Sequence, residues 1–310
     1  MNERVLITGA TGFIGRHALA PLRVAGYEIH AVTSRDPAPR AADTEWHRTD
    51  LLDADALARL VVAVKPTHLL HFAWYAVPGR YPTAPENLAW CNATNRLLAA
   101  FAEAGGRRAV FAGSCFEYDF GYGYCTEDLT PAKPSTFYGV CKNATREIVA
   151  GFTRQFNLST AWGRIFHLYG PYEPANRLVP AVVRPLLRGE VARCGQGRQI
   201  RDFLHVQDVA DAFVALLGSE ARGTINIGSG EPVALRRLIE LAAAIIGRPD
   251  LVNLGAMPPR PDDPPLLIPN VWRLREEVGW QARFSLDEGL RDTIAWWRAA
   301  GGEHGAATRG

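Results

Sequence analysis

The sequence predicts an α/β protein: a doubly wound parallel sheet followed by a smaller α/β unit toward the C-terminal end. Three observations carry this. Short apolar segments alternate with amphipathic ones through the first 166 residues, the pattern of a parallel sheet with helices on both faces. The first of these segments breaks into glycines and restarts as a helix. Past Tyr169-Gly170-Pro171 the regular alternation gives way to shorter, mixed segments.

Taken in order, Val5 to Thr8 reads as a buried strand, and Gly9, Gly12 and Gly15 follow at a spacing of three. Arg16 to Ala25 is a helix with Ile14, Ala18, Leu19 and Leu22 on one face. A strand that turns through glycines into a helix leaves backbone N–H groups free at the helix N-terminus. A dinucleotide pyrophosphate suits such a site, and the fold is Rossmann-like. Glu28 to Thr33 and Glu45 to Thr49 are the next strands, and Asp53 to Val64 is a helix. Thr67 to Trp74 is an apolar run of the buried parallel kind. A long helix spans Pro85 to Ala104 and stops at Gly105-Gly106. A strand from Arg108 to Gly113 leads into an irregular aromatic loop through Pro134, a helix from Ser135 to Phe156 and a strand from Thr160 to Phe166. Beyond these come a helix from Leu178 to Arg188, a Gly-rich hairpin-like stretch from Cys194 to Arg198, a helix from Val206 to Leu217, a strand from Thr224 to Ile227 and a helix from Leu235 to Ile246. A proline-rich loop from Met257 to Pro265 precedes helices at Trp272 to Val278 and Leu286 to Arg298.

This gives a dinucleotide-binding domain over 1–166, with a return segment near 203–229. A substrate-binding domain covers 167–202 and 230–298, and the small, polar residues 299–310 are expected to form a disordered tail. Among 310 residues the net charge is +2 and 47% are hydrophobic, so a full core is expected and neither a nucleic-acid nor a membrane partner is. Five cysteines without a C-x-x-C pair argue against a disulfide framework or a zinc site, so no metal is expected. With the first strand close to Met1 and no long apolar run, a cytoplasmic location is expected. Of 34 basic residues only Lys65, Lys133 and Lys142 are lysine, so lysine's own chemistry is the thing to look for where it occurs.

Tyr138 and Lys142 stand four apart at the start of a long helix and share a face. An ammonium near a phenol favours the phenolate, which suits proton exchange with an alcohol or ketone. Ser114 ends a strand, where the carboxyl edge of a parallel sheet meets the ligand crevice. Gly9-x-x-Gly12-x-x-Gly15, Ser114, Tyr138-x-x-x-Lys142, Arg201-Asp202-Phe203 and Asn226-Ile-Gly-Ser-Gly230 together resemble the extended short-chain dehydrogenase/reductases that act on nucleotide sugars. The likeness runs from about Val5 to Trp297.

The resemblance implies that Ser114 and Tyr138 touch the sugar oxygen being oxidised or reduced, and that Lys142 binds the nicotinamide ribose and lowers the Tyr138 pKa. It places Thr11, Phe13 and Ile14 with the glycines in the phosphate loop. Asp50-Leu51 go to the adenine end, and Phe72-Ala73, after His71, lie along the cofactor. Asn92 matches a position that braces the neighbouring strand. Arg177, Arg201 and Arg260 would surround the substrate pyrophosphate and Asp263 its ribose, with His167 and Cys115 bordering the sugar. Val206-Gln207-Asp208 reads as structural. A homodimer through the two long helices is also implied.

Departures narrow the chemistry. Sugar 4,6-dehydratases of the family carry Thr-Asp-Glu where this chain reads Ser114-Cys115-Phe116, and Glu117 is out of register. The cysteine and histidine of the epimerising GDP-fucose synthases match Phe116 and Arg177, and Cys115, one place off, should point elsewhere. The second strand ends in Thr33, followed by Ser34-Arg35, where NAD enzymes usually carry a carboxylate for the ribose 2′-OH. NADP(H) is therefore expected over NAD(H). The expected activity is NADPH-dependent reduction of a nucleotide-linked 4-keto-6-deoxy sugar. A nucleotide-sugar 4-epimerase is the alternative, and a non-catalytic NADP-binding regulator a third reading.

Overall fold

The structure is a computed structural model that describes residues 3–34, 43–259 and 263–307. Its first layer is a seven-stranded sheet. The strands are β1 (Arg4–Thr8), β2 (Glu28–Thr33), β3 (Thr44–Arg48), β4 (His68–His71), β5 (Arg108–Ser114), β7 (Ser159–Ile165) and β11 (Gly223–Ile227). Their spatial order is β11-β7-β5-β4-β1-β2-β3 and every pairing is parallel. The order reverses beside β1, so β1 and β4 form the switch point where ligands of such sheets bind.

Helices cover both faces because each presents one apolar stripe. On one side lie α2 (Ala54–Val64), α3 (Glu86–Glu103) and α4 (Phe137–Phe156), burying Leu57, Val61, Leu97, Phe101 and Val149 against Leu6, Leu69 and Phe111. On the other, α1 (Gly15–Val24) and α6 (Val206–Gly218) bury Ala18, Leu22, Val209 and Phe213 against Val5, Ile7 and Val110. Thus α6 and β11, from the second half of the sequence, return to the first layer. Asp53 starts α2 by accepting from the Asp55 and Ala56 amides at 3.0 Å each, and Lys65 ends it with φ 48°.

The second layer holds β6 (Tyr124–Cys125), β8 (His167–Tyr169), β10 (Ile200–His205), β12 (Pro232–Ala234) and β14 (Leu266–Pro269) in one sheet around β10. Against it pack α5 (Leu178–Leu187), α7 (Leu235–Ile246) and α9 (Leu286–Ala307), through Val183, Leu238, Leu290 and Ile294. The short α8 (Trp272–Glu276) adds Leu274 to the first core.

Several expectations are corrected here. The stretch near Cys194 is not a hairpin: β9 (Ala192–Cys194) pairs in parallel with the distant β13 (Val252–Leu254). The proline-rich segment hands over directly to a strand, β14. The last helix continues to Ala307 instead of stopping at Arg298 before an unstructured tail. Among the described residues no helix is long and apolar enough to cross a membrane.

The β1–α1 turn brings backbone against backbone. Gly9 has φ +68°, and a Cβ on Gly15 would stand 2.2 Å from the Gly9 carbonyl oxygen. Gly15→Ala therefore has to push backbone against backbone. It is expected to cost about 1–3 kcal/mol, read as a lower midpoint in urea denaturation, with weaker dinucleotide binding alongside.

Candidate active site

The glycine turn fits a dinucleotide phosphate. The Gly12 amide donates back to the Gly9 carbonyl at 2.8 Å, and α1 starts at Ile14 with no side-chain cap and no acidic residue in its first turn. The Arg16 and His17 amides donate to the Gly12 and Ile14 carbonyls at 3.4 and 2.9 Å, so the Gly15 amide and the helix dipole are what this end offers an anion. Thr11, Gly12, Phe13, Ile14 and Gly15 line this end.

A hydrogen-bonded chain behind the turn fixes the next segment. The Thr94 hydroxyl proton goes to the Trp90 carbonyl at 2.9 Å, so Thr94 Oγ1 accepts from His71 Nε2–H at 3.0 Å. The neutral His71 Nδ1 accepts from the Thr8 hydroxyl at 2.7 Å, and Thr8 Oγ1 accepts from the Ala73 amide at 3.2 Å. Each hydroxyl donates once and accepts once in this scheme, which sets the His71 tautomer. Burial, with the Lys142 charge second, pushes His71 down to about 3, so it is neutral as the scheme requires. Phe72 and Ala73 are thereby held against Gly9, where an added Cβ would lie 2.8 Å from the Ala73 nitrogen. The brace on α3 is Thr94; Asn92, expected in that role, is exposed.

At the adenine end, Asp50 is exposed and its Oδ1 accepts from the Leu52 amide at 3.0 Å, a turn, while Leu51 is buried in the core. Thr33 is buried and already has a partner, and Ser34 is exposed. Arg35 lies outside the described residues.

Ser114 ends β5, and Glu117, fully buried, holds it there. The Glu117 carboxylate accepts from the Ser114 amide at 2.8 Å, from Trp162 Nε1 at 2.9 Å and from Arg164 Nε at 2.7 Å. Ser114 Oγ accepts from the Phe116 amide at 3.3 Å. Thr136 caps α4 by accepting from Gly139 N at 3.1 Å, which sets Tyr138 in the first turn, its own amide donating to the Pro82 carbonyl at 3.0 Å. The Tyr138 ring stands in an aromatic box: Tyr81 at 4.9 Å, Phe116 at 6.0 Å and Trp74 at 6.4 Å between centroids.

The electrostatics differ from expectation. Burial raises the Tyr138 phenol above its ordinary range, and a hydrogen bond with Ser114 opposes this. Lys142 does not lower it. Its Nζ donates to the Ala112 carbonyl at 2.8 Å, lies 3.7 Å from the Trp74 ring centroid and is 6.0 Å from the Tyr138 ring. Burial pushes Lys142 itself down to about 7, with Glu117 opposing. Ser114, Tyr138 and Lys142 are thus brought to one place, while the ammonium sits beneath the phenol and not against it.

On the substrate side, His167 is half-buried with Nδ1 lacking a partner among the described residues. Burial, then the Arg201 and Arg177 charges, pushes it down to about 3, so it is a neutral donor or acceptor. Arg177 has a buried Nε without a partner among the described residues. Arg201 is engaged: it donates to Asp263 Oδ1 at 2.5 Å and to the Pro264 carbonyl at 2.6 Å, and Gln199 Nε2 donates to Asp263 at 3.0 Å. Arg260 lies outside the described residues. Cys115 is buried in an apolar cluster with Tyr118, Cys125, Phe166 and Leu267; burial pushes its thiol up to about 12, and a hydrogen bond with Ser114 opposes this.

Sequence reasoning missed Trp74, Tyr81 and Glu173. Trp74 and Tyr81 follow β4 in an irregular segment with no periodicity to mark it. Glu173 is buried beside Arg177, one oxygen without a partner among the described residues, and burial pushes it up to about 8.

Fold and site together define a dinucleotide-binding α/β protein with a serine, tyrosine and lysine gathered at the carboxyl edge of its sheet. The chain belongs to the NAD dependent epimerase/dehydratase family, whose pattern matches residues 5–228. It is similar to the UDP-glucose 4-epimerase of Azospirillum brasilense, 29% identical, with 99% of this chain and 98% of the relative covered. Among solved structures it is similar to MoeE5 in complex with UDP-glucuronic acid and NAD: TM-score 0.82, 32% identity, 96% of this chain and 99% of that one covered. It also matches the Thermus thermophilus UDP-glucose 4-epimerase complexed with NAD, with a TM-score of 0.84, 26% identity and the same coverage.

Two buried carboxylates make opposite predictions. Glu117→Ala leaves Arg164 buried without its partner and is expected to destabilise the fold by about 3–5 kcal/mol, measurable by urea denaturation. Glu173 has a folded pKa raised from 4.5 to about 8, so the folded state keeps its proton to higher pH than the unfolded state. Its contribution is fully present below 4.5 and is lost as pH rises through about 8. Glu173→Gln keeps the uncharged form, so the midpoint temperature of the variant minus that of the wild type should rise between about pH 5 and pH 9.

Proposed function

We propose that the protein carries out redox chemistry at C4 of a nucleotide-diphosphate sugar, and specifically the NADPH-dependent reduction of a 4-keto-6-deoxy sugar. The observation that carries this is the shared placement of Ser114, Tyr138 and Lys142, with neither neighbouring candidate free for work at C5 or C6: Glu117 is locked to Trp162 and Arg164, and Cys115 is in the core.

Gly9, Thr11, Gly12, Ile14 and Gly15 would hold the dinucleotide phosphates, Ala73 would border its ribose, and Lys142 would bind the nicotinamide ribose. When bound, the nicotinamide supplies hydride transfer. Ser114 Oγ hydrogen-bonds the keto oxygen and polarises it. Tyr138 gives its proton to the developing alkoxide, and its raised pKa means that the phenol is protonated and ready to do so at neutral pH. Lys142, with its pKa near 7, takes up a proton from solvent and offsets the charge of the phenolate. Trp74, Tyr81 and Phe116 exclude water from the reacting carbonyl. Arg177 and His167 face the substrate, and Arg201 would exchange its Asp263 partner for diphosphate.

NADP(H) is favoured because β2 ends in Thr33 and Ser34 follows, without the carboxylate that would repel a 2′-phosphate. A 4-epimerase that keeps NAD is the second reading, favoured by the names of the similar proteins and the NAD in the similar structures. We read the enzyme as a homodimer through α3 and α4, whose Leu88, Val140 and Ile148 are exposed. We place it in the cytoplasm, where its five buried thiols stay reduced.

The test offers NADPH or NADH with 4-keto-6-deoxy sugars on dTDP, GDP, CDP and UDP. Loss of reduced-nicotinamide absorbance in proportion to product supports the reductase. Interconversion of plain UDP-sugars without net loss replaces it by the epimerase. Tyr138→Phe should lower kcat by about 10²–10⁴-fold while dinucleotide binding, followed by fluorescence, stays near wild type; unchanged turnover would sink the assignment.

A further inference from the structure

The outer edge of the first sheet carries a cluster with no part in the chemistry above. Among the described residues β3 is the last strand and pairs on one side only, with β2. His30 stands opposite Glu45 in the register, and His47 stands opposite Val32, two residues further along. Period-2 alternation puts Glu28, His30, Glu45 and His47 on the same face.

Their donor atoms converge. His30 Nδ1 is 3.0 Å from His47 Nε2 and 3.5 Å from Glu45 Oε2, and His47 Nε2 is 3.7 Å from Glu45 Oε1. With zinc–nitrogen bonds of about 2.0–2.1 Å, neighbouring donors of a tetrahedron stand about 3.3–3.4 Å apart. The three measured separations bracket that edge. The outer shell is also in place. His30 Nε2 is 3.1 Å from Glu28 Oε1, and a carboxylate accepts only, so Nε2 carries the proton and Nδ1 turns its lone pair toward the cluster. A carboxylate that orients a metal-bound histidine does the same. The Glu45 side chain is 65% exposed, so the fourth position opens to water.

We propose that His30, His47 and Glu45 form a divalent transition-metal site of the zinc class, oriented by Glu28, that clips the edge strand β3 to β2. The donor set of two imidazoles and a carboxylate suits zinc, cobalt or nickel and not magnesium or calcium. His47 binds through Nε2 as its Nδ1–H tautomer, so the proton it shares with His30 moves across its own ring and none is released. Nothing in the spacing warns of this site: His30 and His47 are separated by 17 positions and meet only through the β2–β3 register.

The test uses the full chain after chelator treatment, titrated with cobalt(II) alone. One equivalent is expected to bind with the visible bands of four-coordinate cobalt, without thiolate charge-transfer absorption, and to be displaced by zinc. Glu45→Gln, at an exposed position, and His47→Asn should each weaken binding by at least about a hundredfold, and Glu28→Gln by about 10- to 100-fold. Zinc should raise the melting temperature of the wild type and not of the two ligand variants. No cobalt bands at millimolar metal, a thiolate band, or equal affinity in wild type and both ligand variants would overturn the site.

Discussion

One buried carboxylate governs the candidate site. Glu117 is fully buried, and an ion there costs several kcal/mol unless it is well paired. Ser114, Trp162 and Arg164 supply a backbone amide, an indole and a guanidinium, so both oxygens are satisfied. Those donors come from β5 and β7, adjacent strands of the sheet. The charge is therefore offset only when the strands are in register and the turn after Ser114 is closed. Position and electrostatics follow together: Ser114 is aimed by the bond to its own amide, and the Glu117 charge is the largest influence that opposes the burial-driven fall in the Lys142 pKa.

The same logic ties the second layer to the first. Asn226 lies in β11, yet its amide nitrogen donates to the Cys125 carbonyl at 3.0 Å and the Asn270 carbonyl at 3.1 Å, and its oxygen accepts from Tyr118 Oη at 2.8 Å. Asp202 in β10 accepts from the Ser229 and Gly230 amides at 2.9 and 2.6 Å. Asp208 at the start of α6 accepts from the Phe284 amide at 2.9 Å, which is the structural role expected of it. Polar groups that would be costly when orphaned thus specify how the two sheets meet.

This explains what the sequence could and could not disclose. The first layer was legible because its strands other than β3 are largely apolar and its helices carry apolar stripes: Glu28–Thr33 and, in the second layer, Leu235–Ile246 stand where periodicity puts them. β10 was not legible. Its buried positions include Arg201, Asp202 and His205, so a pattern reader sees polar residues where the fold has core. β6, β12 and β14 are two to four residues long and are held by pairing and not by pattern. Ser114, Tyr138 and Lys142 came from spacing and resemblance. The aromatic box was hidden because Trp74 and Tyr81 reach Tyr138 through an irregular segment.

The electrostatic correction at Tyr138 has a mechanistic reading. A lysine acts on a phenol through distance and dielectric, and at 6.0 Å from the ring, with its Nζ on a carbonyl and an indole face, its pull is outweighed by the loss of water around both groups. Burial raises an acid that is neutral when protonated and lowers a base that is charged when protonated, so it favours the uncharged form of both Tyr138 and Lys142. A protonated phenol over an amine near neutrality is arranged to give a proton away and then to be stabilised as an anion. Under the proposed reduction that is the order required: hydride reaches the carbonyl carbon and the phenol then gives its proton to the alkoxide.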